Sequence, residues 1–445
     1  MQRFGLRPGK PLFGTLPVPA SKSHGQRALL IAALCREPVW IAGLPAQERC
    51  ADDLRHARQW IENVGARVDA PLGTSLRVRG LAPGPMGGWR AAGELELGES
   101  GTLARLGTAA AALCARPGGE IRLVARGSLS RRTSPGLMEA LRSAGVRMAF
   151  RGIPDGFTLS LWPIGPPSRI ELWAPSSSQE VSGLLVAAAA WPDQIEILVH
   201  GTIPSEPYVS LTISTLLRFG VSVERRLESG RTAFLVRGPL RAPEGMLIVE
   251  PDASAAAVLL AAACISRGRI AVPGLGAGSL QGDVAMVEHL RAFGCDAGFD
   301  SEGMFGGGPV TRGAQIDASG TPDLAPLLAA LAADAALRCG QWSRLLGLAT
   351  LQGKESPRIS VLSEALSLLG LDVRADESSL EIAPGSSCTG AVELDPRGDH
   401  RMVFAFALLG LLRDGVSVLD PECVAKSWPG FWDDMQRAGG SSLDG

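Results

Sequence analysis

Charged and polar side chains stand where this chain is otherwise most apolar. Lys22 and Arg27 open the run SKSHGQRALLIAALC, Glu99 and Arg105 the run ESGTLARLGTAAAALC, Gln179 the run SSSQEVSGLLVAAAA, and His400 with Arg401 the run GDHRMVFAFALLGLL. A serine, threonine or aspartate ahead of an apolar helix is ordinarily an N-cap and nothing more. Lysine, arginine, glutamine and histidine are different, because beside a buried helix they are costly unless something pairs with them. Their joint presence points to a ligand. Helix N-termini present unpaired N–H groups and the positive end of the helix dipole, so several such ends brought together bind anions even before any cationic side chain is counted.

The elements that must position these residues recur along the chain. The polar signature, the Ala/Leu-rich run and a β-rich tail begin again at Ser21, Glu99, Ser176, Asp252, Pro322 and Gly398, at intervals of roughly 75 residues. Between them lie HARQWIENVGARV, GLMEALRSAGVRM, TISTLLRFGVSV, MVEHLRAFGCDA, VLSEALSLLGLDV and FWDDMQRAGG. Apolar residues three and four apart, with glycine just beyond, predict amphipathic helices with C-terminal caps. Each repeat therefore reads as two helices and several short strands. The first helix is apolar all round and so buried, and the polar N-terminal ends are predicted to share one location.

Composition bounds the rest. A chain of 445 residues exceeds what one core usually supports, so two domains are expected. The 43 Lys plus Arg against 45 Asp plus Glu leave a formal charge of -2, with no basic or acidic tail, which argues against nucleic acid or a membrane surface as partner. Eight scattered cysteines lack metal or redox spacing, and no apolar run reaches the roughly 18 residues that span a bilayer. Reduced thiols in a cytoplasmic protein are the expectation. His24, His56, His200, His289 and His400 show no paired spacing, so no metal is expected.

The motif order then carries a resemblance. SKSHGQRALLIAAL, LGESGT at Leu97–Thr102, SRRTSP from Ser130, SSQ at Ser177–Gln179, SEPY at Ser205–Tyr208, PD at Pro322, KESPR at Lys354–Arg358, DHRM at Asp399 and AKSWP at Ala425 are similar to EPSP synthase motifs, in the family's order and over essentially the whole chain. Tyr208, the one tyrosine of the sequence, falls where that family uses a substrate-contacting tyrosine. The resemblance implies an α/β fold, a two-domain inside-out α/β barrel of six βαβαββ repeats, three per domain. Residues 21–248 would form one domain and residues 1–20 plus 249–445 the other, with the active site in the cleft between them. It implies transfer of the enolpyruvyl group of phosphoenolpyruvate to the 5-hydroxyl of shikimate 3-phosphate by a protein that is usually a monomer and needs no cofactor.

Residue roles follow from the same resemblance. Lys22, Asp323, Glu355 and His400 would be catalytic: Asp323 toward the attacking hydroxyl, Lys22 as a proton shuttle, Glu355 at the methylene, His400 nearby. Shikimate 3-phosphate would meet Lys22, Ser23, Arg27, Ser177, Ser178, Gln179, Ser205, Tyr208, Asp323, Thr350 and Lys354. Phosphoenolpyruvate would meet Lys22, Gly101, Thr102, Arg132, Gln179, Arg358, Arg401 and Lys426.

Some positions depart from the family pattern. Glu99 and Thr350 each replace an asparagine, Pro357 replaces an aspartate, and Leu106 and Thr133 replace prolines. A carboxylate at Glu99 repels anionic ligands unless it turns away onto a neighbouring Arg or Lys. These departures keep two alternatives in view: a paralogous enolpyruvyl transferase of specialised metabolism acting on another phosphorylated cyclic alcohol, and a ligand-binding relative without catalysis.

Overall fold

The computed structural model describes residues 4–44, 50–72, 75–84, 88–90, 93–386 and 388–442. Its fold is mixed α/β, in two compact units, Ala20–Glu250 and Met1–Pro19 with Pro251–Gly445.

In the first unit the helices are α1 (Lys22–Leu34), α2 (Asp52–Asn63), α3 (Gly101–Cys114), α4 (Pro135–Ser143), α5 (Ser178–Ala189) and α6 (Pro207–Arg218). In the second they are α7 (Ala253–Ile265), α8 (Met286–Ala292), α9 (Ala325–Cys339), α10 (Arg358–Leu368), α11 (His400–Leu412) and α12 (Phe431–Arg437). The odd-numbered helices are buried nearly all round, as their unbroken apolar sequences require, and each unit builds its core on three of them. The even-numbered helices bury one stripe only; α2 buries Leu54, Ala57, Trp60 and Ile61. Gly65, Gly145, Gly220, Gly294, Gly370 and Gly439 follow these six helices with positive φ, the left-handed step that ends a helix where glycine lacks the Cβ penalty.

Among the described residues five four-stranded sheets share one strand order. Glu94–Glu96 pairs in parallel with Ile121–Arg126, which pairs antiparallel with Gly156–Trp162, which pairs antiparallel with Arg147–Ile153. The same order holds for Arg169–Trp173, Ile195–His200, Arg231–Arg237 and Ser222–Glu228. In the remaining sheet of the first unit, Met246–Ile248, the last strand of that unit, supplies the parallel edge beside Val39–Ala42. In the second unit the edge beside Arg269–Val272 is the early strand Phe13–Thr15. Toward the C-terminal end Val392–Leu394 pairs in parallel with Val416–Val418, and Leu6–Arg7 pairs antiparallel with Ser441–Ser442. Where the edge strand directly precedes its neighbour in sequence, the parallel step spans the buried helix between them: α3 between Glu94–Glu96 and Ile121–Arg126, α5 between Arg169–Trp173 and Ile195–His200, α9 between Gln315–Asp317 and Ser343–Leu346, and α11 between Val392–Leu394 and Val416–Val418.

Among the described residues no helix is long and apolar enough to cross a membrane.

Candidate functional site

In the first unit the N-terminal turns of α1, α3 and α5 are tied together by their own side chains. Ser21, Ser100 and Ser177 cap the three helices, accepting from the amides of His24, Leu103 and Gln179. The Ser100 hydroxyl also donates to Gln26 at 2.7 Å, and the Gln179 amide donates to Thr102 Oγ1 at 3.0 Å. Arg27 is 1% exposed and donates through Nε to Thr212 at 2.7 Å, through Nη1 to the Ser23 carbonyl at 2.8 Å and through Nη2 to Ser182 and the Tyr208 carbonyl, both at 3.3 Å. Burial lowers its pKa to about 10, opposed by Tyr208, so the guanidinium stays charged near neutrality. It fixes α1 to α5 and α6, and its guanidinium carbon stands 6.0 Å from the Tyr208 ring centre. Ser205, just ahead of α6, has φ +52.

Gly101 is where the cations converge. A Cβ there would meet Arg105 Nη1 and Arg132 Nη2, each at 2.7 Å, and Gln179 Oε1 at 3.3 Å. Arg105 is anchored to the carbonyls of Gly101 at 3.2 Å and Arg132 at 2.9 Å, so the turn bearing Arg132 is fastened to the start of α3. Lys22 lies across from a carboxylate, 3.0 Å from Asp53 Oδ2, a partner on α2 that the motif reading did not identify. Glu99 does turn aside: its carboxylate accepts from the Ser128 hydroxyl at 3.1 Å and from the Ser128 amide at 3.4 Å. Gly127 makes this approach feasible, since a Cβ there would collide with Glu99 Oε1.

The second unit gathers the candidate acid–base groups. Arg358, 1% exposed at the start of α10, donates to Asp399 Oδ2 at 2.8 Å, Asp323 Oδ1 at 2.8 Å and Glu355 Oε2 at 3.0 Å. Asp323 also faces Lys354 and Arg401, each at 3.1 Å, and Glu355 faces Lys426 at 3.1 Å. Burial works to raise the Asp323 pKa, but Arg401, Lys354 and Arg358 override it and hold the carboxylate well below its ordinary range. For Arg358, burial favours the neutral form and the three carboxylates outweigh it, so its pKa is raised. Asp399 caps α11 by accepting from the Arg401 amide at 3.0 Å. His400 is buried with its ring edge-on to Phe404, at 5.9 Å between ring centres.

Most residues singled out from sequence therefore fall into two groups, one in each unit: Lys22, Ser23, Arg27, Gly101, Thr102, Arg132, Ser177, Ser178, Gln179, Ser205 and Tyr208 at or beside the helix ends of the first, and Asp323, Lys354, Glu355, Arg358, Arg401 and Lys426 in the ion-pair network of the second. Thr350 differs. It sits in the turn Ala349–Gly353 ahead of Lys354, and its buried hydroxyl has no hydrogen-bond partner among the described residues. Arg358 differs from its neighbours in burial rather than in pairing: Lys354, Arg401 and Lys426 also face carboxylates, but their side chains are more exposed.

A model of the EPSP synthase (3-phosphoshikimate 1-carboxyvinyltransferase) family matches residues 6–435. The chain belongs to the EPSP synthase family. It is 37% identical over 442 residues to the 3-phosphoshikimate 1-carboxyvinyltransferase of Methanoculleus marisnigri, covering 96% of this chain and 97% of the relative, and 33% identical to that of Laribacter hongkongensis, covering 97% and 98%. Its fold matches the EPSP synthase of Acinetobacter baumannii with a TM-score of 0.76 at 22% identity, over 100% of this chain and 99% of the other. It also matches the enolpyruvyl transferase NikO of Streptomyces tendae, with a TM-score of 0.73 at 16% identity, over 99% and 98%.

Asp53 beside Lys22, Ser254 beside Arg401, Asp283 beside Ser254 and Glu180 beside Ser176 border these groups and were missed from sequence. One of them had a signal. Thr102, Gln179 and Arg401 each stand two residues after their helix's cap, and so does Ser254, two after the cap Asp252 of α7. Asp53, Asp283 and Glu180 had none beyond being acidic residues near a motif.

Proposed function

We propose that this protein is a 3-phosphoshikimate 1-carboxyvinyltransferase, joining phosphoenolpyruvate to the 5-hydroxyl of shikimate 3-phosphate with release of phosphate, a step toward aromatic amino acids. The observation that carries the reading is the network in which Asp323 and Glu355 are held on Arg358 and faced by Lys354, Arg401 and Lys426: two carboxylates among cations suit proton transfer on a doubly anionic substrate. In this reading both groups of residues serve one substrate pair, and the repeats take the two-domain inside-out α/β barrel arrangement of the family.

The chemistry is addition followed by elimination. The 5-hydroxyl loses its proton toward Asp323 as its oxygen bonds the enol carbon, while the methylene carbon gains a proton from Glu355 or Lys22. A proton is then withdrawn from the new methyl group, the enol double bond re-forms, and the C–O bond to phosphate breaks. Asp323 held on three cations is a weak base. Substrate anions that engage Lys354 and Arg401 neutralise two of those cations and so raise its basicity when the ligands are in place. Lys22, Arg105, Arg132 and the helix ends around Gly101 would hold phosphoenolpyruvate, and Arg27 keeps α1 and Tyr208 in register for the acceptor. Glu99, bonded to Ser128, is held by that turn rather than left to repel the anion.

Phosphate release from phosphoenolpyruvate and shikimate 3-phosphate tests the assignment, with Lys22→Ala and Asp323→Ala as controls. Turnover lost in both variants is expected. A folded native protein without turnover would remove the assignment and direct the search to another phosphorylated cyclic alcohol.

A further inference from the structure

Beside the Asp323 network a further carboxylate is buried that no step above uses. Asp283, in the turn Gly282–Ala285, is 1% exposed, and the Ser254 hydroxyl bonds its Oδ2. Ser254 Oγ in turn stands 3.2 Å from Arg401 Nη2, and that same nitrogen lies 3.1 Å from Asp323 Oδ2. The turn is clamped to the start of α7, because the Gln281 side chain accepts from the Ala253 amide at 3.1 Å and donates to the Pro251 carbonyl at 2.8 Å. Four groups thus form one chain: Asp283, Ser254, Arg401, Asp323.

The polarity of that chain has a consequence. A serine hydroxyl has a single proton. Given to the Asp283 carboxylate, it leaves the oxygen lone pairs for Arg401, which can only donate. With an amide at position 283 the side chain can donate to Ser254 instead, and nothing then keeps the hydroxyl proton away from the guanidinium. We propose that Asp283, acting through Ser254, is a positioning residue for Arg401, holding the guanidinium where it both pairs with Asp323 and meets the anion of phosphoenolpyruvate. This rests on the functional reading above.

The groups facing Asp283 are Ser254 and Asp252 from the α7 end, Arg401 from α11 and Asp323 from the turn ahead of α9. Burial pushes its pKa up to about 6, with Arg401 opposing and Asp323 adding to the rise. The carboxylate therefore gains its proton as pH falls through about 6, and the imposed polarity goes with it.

Ser254→Ala, Asp283→Asn, the double variant and Ser254→Thr test the proposal. In steady-state assays Ser254→Ala and Asp283→Asn should each raise KM for phosphoenolpyruvate about tenfold, the scale of one weakened charge-assisted hydrogen bond. KM for the acceptor should stay within about twofold. The double variant should be no worse than Ser254→Ala, since both act through one path, and Ser254→Thr, which keeps the hydroxyl, should stay near native. The fall in native kcat/KM for phosphoenolpyruvate below about pH 6 should be absent in Asp283→Asn. Normally folded variants with unchanged KM, equal changes for both substrates, or additive losses would overturn the proposal. If the native protein lacks turnover, the functional reading fails, and calorimetric binding of phosphoenolpyruvate decides this one separately: affinity unchanged in Ser254→Ala sinks it, and a loss of about tenfold sustains it.

Discussion

Arg358→Met should loosen the second unit by an amount that the structure lets one estimate. The guanidinium it removes is 1% exposed and bonds three carboxylates. Two of them keep other cations: Asp323 retains Lys354 and Arg401, and Glu355 retains Lys426. The deficit falls chiefly on Asp399, which is fully buried and left with the Ser356 hydroxyl at 3.1 Å and the Arg401 amide at 3.0 Å. Breaking a buried pair costs about 3–5 kcal/mol, and the two surviving bonds favour the lower end, about 3 kcal/mol. That corresponds to roughly a hundredfold loss of protection against hydrogen exchange. Exchange measured by mass spectrometry on peptides from α10 and α11, corrected for intrinsic rates, reads it directly. The pH dependence has a definite sign. Because the folded pKa of Asp323 is depressed, the stability it contributes is present above its ordinary value near 3.8 and is lost as pH falls below it. The share of the difference that runs through Asp323, which Arg358 helps to hold below its ordinary range, should therefore be full at pH 7.5 and shrink below about pH 4. Arg358→Lys should recover little, since one ammonium cannot span three carboxylates. Unchanged protection at pH 7.5, or a loss of equal size at both pH values, would refute the account.

Other residues give independent checks. Asp323→Asn should lower kcat by about 10²–10⁴, and a fall smaller than tenfold in single-turnover kinetics would take Asp323 out of proton transfer. Gly101→Ala places a methyl against Arg105 and Arg132, and by displacing one charge-assisted bond should raise KM for phosphoenolpyruvate by about tenfold or more. A KM within twofold of native would show that these guanidiniums do not meet the substrate. Glu180 is fully buried, with Oε1 accepting from Ser176 and Oε2 lacking a hydrogen-bond partner among the described residues, and burial raises its pKa against Ser176 and Arg105. A raised carboxylate pKa makes the folded state most favoured below the ordinary value near 4.5 and less so as pH rises. Glu180→Gln should therefore stabilise by about 1–3 kcal/mol at pH 8 and by less at pH 4, read as thermal midpoints. An equal gain at both would exclude ionisation as the cause.

The amino-acid sequence by itself determined where the two kinds of helix fall. Unbroken apolar runs can only be buried helices, and the six glycines beyond the amphipathic helices could be read because a left-handed terminus is a local requirement of the backbone. The sites of the caps were equally legible, as was the clustering of polar groups at helix starts. What pairs with what was not. Lys22 meets Asp53 across 31 positions, Arg358 meets Asp399 across 41 and Arg401 meets Ser254 across 147, and no spacing rule reaches that far. Nor could sequence tell that Glu99 would settle on Ser128, or that Arg358 would be buried on three carboxylates while Lys354, Arg401 and Lys426 pair with Asp323 and Glu355 from more exposed positions. A side chain's charge is fixed by its chemistry, but its partners are fixed by which helix ends packing brings within about 3 Å. In a buried network those partners decide whether a carboxylate is a strong base, a weak one or a strut.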